Sequence, residues 1–309
     1  MMWNWDEQAC YDLVMMLLDQ LAYSDEIGYI SWLTRVASCD DDETEIRLVA
    51  KICSGDNISV LRVNSGERDQ LRARIRYQEL LHQSGASVPA VLNVTEAELP
   101  DRLTVTAYLE EWIEGVALSS DDFIQYAALL GELHDYSRLL TGPFLVERNH
   151  LLYDTRQIAT EMKNKLCTKS AESKRFTEIM TVLMTETKAG MERLKRYPVH
   201  GDYSTNNLIK KGESLFLIDF GRSGFGYLPE EAGEAFAEMA CSFFNFYLWK
   251  ERLDEFLSAY CSRIHISESE LKLTRAVAAI SSVIRVLHTE QDEKTIMLLC
   301  GDILNESRG

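Results

Sequence analysis

Three oxygen-bearing side chains lie close together in the segment VHGDYSTNNLIKKGESLFLIDFGRSGFG, residues 199–226. They are Asp202, Asn207 and Asp219. The residues between Asn207 and Asp219 form two apolar runs of β type around Gly212–Glu213, and this pattern predicts a β-hairpin. If the hairpin folds symmetrically about its turn, Asn207 and Asp219 lie side by side at one end of the ribbon. Asp202 enters that end from the preceding loop.

The chemistry that these three side chains predict is phosphoryl transfer. With Asn207 opposite Ile218, an amide oxygen and the carboxylate of Asp219 can hold Mg²⁺, which prefers oxygen ligands and keeps other positions for water and phosphate. Asp202 is then left to orient or deprotonate a hydroxyl nucleophile, which is the second task that the reaction requires from the protein. Asp, Asn and Gly are also common turn residues, so the prediction rests on the joint arrangement.

The composition favours a globular protein with reduced thiols. The chain has 309 residues, enough for one large domain or two lobes, and 46% of them are hydrophobic. The sequence contains no long uncharged apolar run and no basic N-terminal region, so we expect neither a transmembrane helix nor a secretory signal. Seven scattered cysteines without a CxxC pair indicate the cytoplasm and argue against a disulfide framework or a zinc site.

The formal net charge of −17 bears on the partners. A surface this acidic repels phosphate backbones, which argues against binding to nucleic acid or to an anionic membrane. It would attract cationic small molecules, although solubility alone also explains the charge. Nothing in the sequence indicates an oligomeric state.

The order of the elements predicts an α+β fold with two lobes. An amphipathic helix over residues 6–22 precedes three β-prone segments whose connections are turn residues, which predicts an antiparallel meander. One helix and two further strands complete a small sheet, and the pattern is then helical almost to the end. We therefore expect a mixed β/α N-lobe over residues 1–114, which the resemblance described below implies to be nucleotide-binding, and a mainly helical C-lobe over 115–309. The supporting segments are strands at 28–38, 45–53, 57–65, 88–94 and 103–113, and helices at 68–84, 121–140, 162–197, 230–249 and 271–290.

Two motifs resemble those of a known superfamily. His200-Gly201-Asp202-Tyr203-Ser204-Thr205-Asn206-Asn207 resembles the HGDxxxxN motif of the aminoglycoside phosphotransferase and choline kinase-like enzymes. Leu217-Ile218-Asp219-Phe220-Gly221 resembles their metal-binding segment, the counterpart of DFG in protein kinases. The resemblance covers most of the chain, because further segments resemble the third strand, the glutamate-bearing helix, the hinge and the Leu-His helix in order: SVLRVNSG, QELLHQSGASVPAVL, LEEWIEGVAL and LLGELHDYS.

The resemblance implies a bilobal protein-kinase-like fold and a phosphotransferase that uses ATP or GTP with Mg²⁺. Asp202 would be the catalytic base, Asn207 and Asp219 would hold the metal, and His200 would brace the loop. The acceptor would be the hydroxyl of a small cationic molecule of aminoglycoside type. Choline-, homoserine-, fructosamine- and macrolide-type acceptors belong to the same superfamily and stay open.

The resemblance also assigns groups to the nucleotide. Arg62 would be the cation on the third strand that contacts the phosphates, where the wider kinase pattern has lysine. Lys51 lies one strand too early for this role. Glu79 would brace Arg62, while His134 fits the Leu-His pattern and is interpreted as a packing residue. The hinge backbone expected to face adenine belongs to Glu110, Glu111, Trp112 and Ile113.

Two segments depart from the family pattern. The loop Ser38–Thr44 has no glycine and four carboxylates, which would repel a triphosphate unless they point to solvent or meet the metal. Together with Arg62, this loop motivates an alternative: a catalytically inactive nucleotide-binding scaffold. The segment PEEAGEAFAEMA begins with acids that suit a helix N-terminus; alternatively, they bind amines of the acceptor, and these acids are Glu230, Glu231 and Glu234. A protein kinase is disfavoured because no APE-like segment follows IDFG.

Overall fold

The computed structural model of the chain describes residues 7–21, 23, 27–40, 43–99, 103–140, 171–243 and 248–287. Within these ranges the chain forms two compact units, one ending at Gly115 and one beginning at Val116. The first is built on an antiparallel sheet and the second is mainly helical, so the predicted α+β, kinase-like fold class is confirmed.

The first unit is a five-stranded antiparallel sheet with two helices. The sheet order is β1-β2-β3-β5-β4, and β1 to β3 form the predicted meander. The elements are α1 (Glu7–Gln20), β1 (Tyr29–Asp40), β2 (Glu43–Ser54), β3 (Asn57–Asn64), α2 (Arg68–Gln83), β4 (Val91–Glu98) and β5 (Thr104–Glu111).

The acidic connection between β1 and β2 is shorter than the sequence suggested. The strands pair as far as Asp40 opposite Glu43, so most of the predicted Ser38–Thr44 loop is strand. Asp41 and Asp42 lie outside the described residues. The described residues of the predicted acidic loop therefore belong mostly to the end of the β1–β2 hairpin. How these residues meet a phosphate stays a prediction.

The two faces of the sheet differ in chemistry because side chains alternate along a strand. One face is apolar: Leu48, Ala50, Leu61 and Val63 form a single buried cluster with the inner side of α1. The opposite face carries Lys51, Arg62 and Glu110, and α2 lies on this side, where Gln78 reaches Glu110. The first unit thus has its hydrophobic core on one side and its ionisable groups on the other.

The second unit consists of five helices and two short β-ribbons within the described ranges. Residues 230–249 were predicted as one helix, but a helix ends at Phe243 and another begins at Trp249. Of the helices predicted at 162–197 and 271–290, residues 162–170 and 288–290 lie outside the described residues. The elements are α3 (Phe123–Leu139), α4 (Ala171–Met191), β6 (Tyr197–Val199), β7 (Leu208–Lys211), β8 (Ser214–Leu217), β9 (Gly224–Gly226), α5 (Leu228–Phe243), α6 (Trp249–Cys261) and α7 (Glu268–Leu287).

Two glycines allow helices of the second unit to approach closely. A Cβ atom at Gly233 of α5 would lie 2.6 Å from the Cβ of Val277 in α7, and one at Gly131 of α3 would lie 2.4 Å from the carbonyl oxygen of Tyr260 in α6. Both distances are far below van der Waals contact, so α5 and α3 hold their places only with glycine at these positions. α5 matters most, because it carries the carboxylates described below.

None of the described helices is long and apolar enough to cross a membrane. Cys10, Cys53, Cys241 and Cys261, whose side chains are described, are free thiols.

Candidate active site

The hairpin β7–β8 brings the two predicted metal ligands to one end. Lys211 pairs with Ser214 across the turn and Leu208 pairs with Leu217 at the other end. One residue further on, the amide of Ile218 donates to the carbonyl oxygen of Asn207 over 2.9 Å. The predicted turn at Gly212–Glu213 and the predicted position of Asn207 opposite Ile218 are therefore confirmed.

Asp219 has an unusual backbone conformation. Its φ of 63° lies in the left-handed region, and among the described non-glycine residues it alone has a positive φ. Its carboxylate accepts a hydrogen bond from the amide of Gly221 over 3.2 Å. Residues held in such conformations cluster at functional sites, because the surrounding structure must compensate their cost. The conformation at Asp219 therefore makes this residue a candidate for a functional role, independently of the sequence motif.

Of the two polar side-chain atoms of Asn207, the nitrogen is hydrogen-bonded within the loop and the oxygen can accept a ligand. Its amide nitrogen donates to the carbonyl oxygen of Asp202 over 2.9 Å, so the carbonyl oxygen Oδ1 is the atom that can meet a cation. With the carboxylate of Asp219, this makes a pair of hard oxygen donors that fits Mg²⁺. No cluster of three or more His, Cys, Asp or Glu side chains suited to a metal occurs among the described residues. A cation here would therefore complete its shell with water or phosphate.

Two carboxylates of α5 hold the loop that carries Asp202. Glu231 accepts hydrogen bonds from the backbone amides of His200, over 3.2 Å, and of Gly201. Glu238 accepts from the amide of Thr205 over 3.1 Å and from its hydroxyl over 2.9 Å. Both ends of the loop are thus fastened to one helix by charge-assisted hydrogen bonds, which are stronger than neutral ones.

The spacing of these two carboxylates matches the length of the loop. Residues seven apart on a helix lie on the same side and are separated by about 10.5 Å along the axis. The four residue steps from Gly201 to Thr205 span at most about 14 Å when extended. The loop is therefore long enough to be held near both ends by carboxylates on one side of α5, which limits the freedom of Asp202.

Glu231 also belongs to a buried network that includes His134. The imidazole Nε2 of His134 lies 2.9 Å from a carboxylate oxygen of Glu231, and its Nδ1 lies 2.8 Å from the hydroxyl of Tyr260. These side chains are between 1% and 3% exposed. His134, interpreted from the sequence as a packing residue, is a partner of the carboxylate that holds the loop carrying Asp202. The Leu-His pattern on α3 was the available signal.

His200 braces the loop from the other side. Its Nε2 donates to the carbonyl oxygen of Ile218 over 3.0 Å, and its Nδ1 accepts from the amide of Asp202 over 3.3 Å. Burial lowers the pKa of His200 below its ordinary value, and this outweighs the opposing effect of Glu231, Asp219 and Asp202. The imidazole is therefore neutral at neutral pH, with its proton on Nε2.

Asp202 presents a partly exposed carboxylate. Its side chain is 40% exposed, and the guanidinium of Arg222 lies 3.9 Å from one of its oxygens. The backbone on either side is fixed by Glu231 and Glu238, while the carboxylate itself remains accessible. This combination suits a group that accepts a proton from a bound hydroxyl.

The hairpin is anchored at Lys210. Lys210 and Val116 exchange two backbone hydrogen bonds of 2.9 Å, and the ammonium group of Lys210 pairs with the buried carboxylate of Asp122. Burial alone would raise the pKa of Asp122, but hydrogen bonds from Lys210 and Ser119 lower it below its ordinary value. Asp122 thus stays ionised and ties the ribbon that carries Asn207 and Asp219 to the start of the second unit.

In the first unit, Arg62 pairs with a different glutamate from the one predicted. Its Nε lies 2.5 Å from a carboxylate oxygen of Glu110, whereas Glu79 pairs with Arg76 at the surface over 2.9 Å. The prediction that Glu79 braces Arg62 is therefore corrected. Tyr108 on β5 is opposite Arg62, and Glu110 lies two positions after Tyr108. The side chains of Arg62 and Glu110 therefore project from the same face of the sheet.

The segment after β5 leaves backbone groups for a ligand. The amide of Glu111 donates to the carbonyl oxygen of Ala90 over 2.9 Å. Trp112 and Ile113 make no backbone–backbone hydrogen bond within the described residues. The ammonium group of Lys51 lies 4.1 Å from the centre of the Trp112 ring. The structure thus brings Lys51 to the hinge and Arg62 to the centre of the sheet.

Comparison with known proteins identifies the family. Residues 42–272 match APH, the phosphotransferase enzyme family. The chain belongs to this family. A search of curated proteins finds no significant match to the sequence of this phosphotransferase.

Solved structures share the fold of the phosphotransferase at low sequence identity. A microcompartment-associated aminopropanol kinase is 16% identical with a TM-score of 0.59, and the match covers 95% of this chain and 96% of that one. An aminoglycoside phosphotransferase from Alicyclobacillus acidocaldarius is 11% identical with a TM-score of 0.60, covering 94% and 92%. An amicoumacin kinase in complex with AMP-PNP and Ca²⁺ is 13% identical with a TM-score of 0.57, covering 98% and 93%.

The acids at the start of α5 in the phosphotransferase had two explanations, a helix start and amine binding. Glu230 and Glu231 are 0% and 3% exposed, which favours the helix start over amine binding for these two. Glu231 holds the loop that carries Asp202, because a helix start that points inward meets the loop amides. Glu234 is half-buried and stays a prediction as an acceptor ligand.

Replacing Glu231 with glutamine tests the fastening of the loop. We expect Glu231→Gln to lower the free energy of unfolding by about 1–3 kcal/mol, because an amide cannot accept from all three donors that the carboxylate serves. Turnover should fall as well, since Asp202 loses its fixed position. Urea unfolding and steady-state kinetics measure both effects. Glu251→Gln, at an exposed site on α6, is the control, and equal behaviour of the two variants would contradict the assigned role.

The pKa of His200 predicts a dependence of stability on pH. The unfolded chain binds a proton at this residue near pH 6.5, whereas the folded chain resists it. The stability therefore falls as the pH drops below about 6.5, by at most about 1.4 kcal/mol per pH unit from this residue. His200→Asn should be less stable at pH 7.5 but should lose less stability between pH 7.5 and 5.5. Parallel curves for the two proteins in denaturant titrations would refute the explanation.

Proposed function

We propose that this phosphotransferase transfers the terminal phosphoryl group of ATP or GTP, with Mg²⁺, to a hydroxyl group of a small cationic acceptor of aminoglycoside type. The observation that carries the proposal is the partly exposed carboxylate of Asp202 on a loop fastened at both ends by α5. The adjoining ribbon presents Asn207 and Asp219, two hard oxygen donors, beside that loop.

In the proposed mechanism, the loop residues position and deprotonate the acceptor. A carboxylate oxygen of Asp202 accepts a hydrogen bond from the acceptor hydroxyl and takes its proton as the oxygen bonds to phosphorus. Neutral His200 keeps the loop and the ribbon in register. Oδ1 of Asn207 and the carboxylate of Asp219 would hold the divalent ion, which when bound offsets the negative charge of the phosphates.

The first unit would bind the nucleotide. The backbone groups of Trp112 and Ile113 are available to the base, as the kinase resemblance implies for residues 110–113. Arg62 would contact the phosphates through its guanidinium. Support for a nucleotide and a divalent ion also comes from the amicoumacin kinase of similar fold, which was solved with AMP-PNP and Ca²⁺.

Two observations favour a cationic acceptor. The formal charge of −17 disfavours anionic partners. Two proteins of similar fold are named for amine-bearing compounds, namely aminopropanol and aminoglycosides. Choline-, homoserine-, fructosamine- and macrolide-type compounds are the alternatives that a direct screen resolves.

The test is a turnover screen with purified protein. ATP and GTP are each combined with Mg²⁺ and with panels of aminoglycosides, amino alcohols, amino acids, sugars and macrolides, and nucleoside diphosphate release and product mass are recorded. We expect phosphorylation of an amine-bearing alcohol. If nucleotide binds but no acceptor is phosphorylated, the inactive scaffold is the correct interpretation.

Asp202→Ala should abolish turnover while nucleotide affinity changes little, since the carboxylate acts on the acceptor. Loss of a general base lowers the rate by about 10²- to 10⁴-fold. Asn206→Ala, at an exposed position in the same loop, is the matched control and should keep normal turnover. Near-normal turnover of Asp202→Ala would refute the role of this residue.

Asp219→Asn should weaken binding of the Mg²⁺–nucleotide complex and raise the Mg²⁺ concentration needed for half-maximal rate. Asparagine tolerates the left-handed backbone at this position, so the variant removes the charge without adding strain. Titrations of Mg²⁺ at fixed nucleotide measure the effect. A metal dependence identical to that of the unmodified protein would contradict the assignment of Asp219 as a ligand.

A further inference from the structure

The first unit contains a buried charge network centred on Glu110. One carboxylate oxygen of Glu110 lies 2.5 Å from Nε of Arg62, and the other accepts from Nε2 of Gln78 over 3.0 Å. The three side chains are 8%, 2% and 1% exposed for Arg62, Glu110 and Gln78 respectively. A buried carboxylate with two fixed donors has little freedom, so it can set the direction of the guanidinium.

Glu110 reaches Arg62 because of the strand register. Arg62 on β3 is opposite Tyr108 on β5, and Glu110 lies diagonally across on the same face. The neighbouring helix α2 presents the uncharged Gln78 at this point, while its Glu79 pairs with Arg76 at the surface. The carboxylate that faces Arg62 thus comes from the sheet and not from the helix.

We propose that Glu110 is the positioning residue that orients Arg62 toward the nucleotide phosphates. This inference rests on the proposed function, in which Arg62 contacts those phosphates. A guanidinium holds its five N–H donors in one rigid plane, so fixing Nε against Glu110 also fixes the direction of the two terminal nitrogens. Lysine, a point charge on a flexible stem, would not transmit this constraint.

Gln78 in turn fixes the carboxylate of Glu110. Its amide nitrogen donates to Glu110 and, over 3.1 Å, to the carbonyl oxygen of Pro89. The carbonyl oxygen of Gln78 has no hydrogen-bond partner among the described residues. Methionine at position 78 would remove the hold on Glu110, and it would also remove the donor to the carbonyl oxygen of Pro89.

A double-mutant cycle on nucleotide binding tests the proposal. Dissociation constants of Mg²⁺–ATP, Mg²⁺–GTP, adenosine and guanosine are measured by calorimetry for the unmodified protein, Arg62→Met, Glu110→Met and the double variant. We expect each single substitution to weaken binding of the preferred triphosphate by about 10- to 100-fold, the range expected for a charge-assisted hydrogen bond. Affinity for the corresponding nucleoside should stay within about twofold, because the phosphate contact is absent from it.

The double variant separates positioning from a general structural role. If Glu110 acts through Arg62, Glu110→Met changes triphosphate affinity by less than about twofold once Arg62 is methionine. Additive losses, or equal losses for triphosphate and nucleoside, would overturn the proposal. Replacing both charges by apolar side chains removes the pair as a unit, so the double variant is expected to fold.

Gln78→Met keeps the test decisive if Glu110→Met alone fails to fold. We expect it to weaken triphosphate binding by about three- to tenfold, a fraction of the loss of the charged partner. Glu79→Gln should leave triphosphate affinity within about twofold. A loss in Glu79→Gln with none in Gln78→Met would return the positioning role to helix α2 and overturn the proposal.

Two further outcomes separate this inference from the proposed function. If the unmodified protein binds neither triphosphate, the proposed function fails and this inference fails with it. If binding is normal but Lys51→Met, and not Arg62→Met, causes the triphosphate-selective loss, the proposed function survives. The role of Glu110 is then overturned, because the phosphate-binding cation is Lys51.

Discussion

The hydrogen bonds between the α5 carboxylates and the backbone amides of residues 200, 201 and 205 are the interaction on which the site depends. The loop that carries Asp202 has no neighbouring strand to satisfy these amides, and unpaired buried amides are costly. Glu231 and Glu238 meet this need and at the same time fix the loop along the helix. The position of Asp202 thus follows from the position of α5, which in turn depends on glycine at position 233 to approach α7.

Burying Glu231 has consequences for its surroundings. A carboxylate that is 3% exposed must be compensated by several donors, because its desolvation would otherwise raise its energy by several kcal/mol. Two backbone amides and His134 supply them, and Tyr260 in turn meets the other nitrogen of His134. Helices α3, α5 and α6 are therefore linked through one polar network that ends at the loop carrying Asp202. In this part of the molecule, the packing of the helices therefore sets the geometry of the site.

The sequence predicted what is local and missed what depends on long-range register. The hairpin, the side-by-side placement of Asn207 and Asp219, the meander and the fold class follow from turn residues and periodicity, which act over a few positions. Glu79 was chosen over Glu110 as the partner of Arg62 because no sequence pattern shows that β3 and β5, 48 residues apart at this pair, are neighbours. The contact between Glu231 and the loop was missed for a related reason. Acids after a proline already explain a helix start, so no local pattern indicates that one of them points inward at a loop.

The net charge of −17 is weaker evidence about the acceptor once the burial of individual carboxylates is known. Glu110, Glu230 and Glu231 all enter that sum, yet they are at most 3% exposed. Arg222, 3.9 Å from Asp202, further reduces the negative field at this carboxylate. Surface charges act over a screening length of about 8 Å at physiological ionic strength, so distant carboxylates add little at the acceptor. An acceptor amine of the kind proposed would therefore have to be recognised by individual carboxylates close to Asp202, while the remaining charge contributes mainly to solubility.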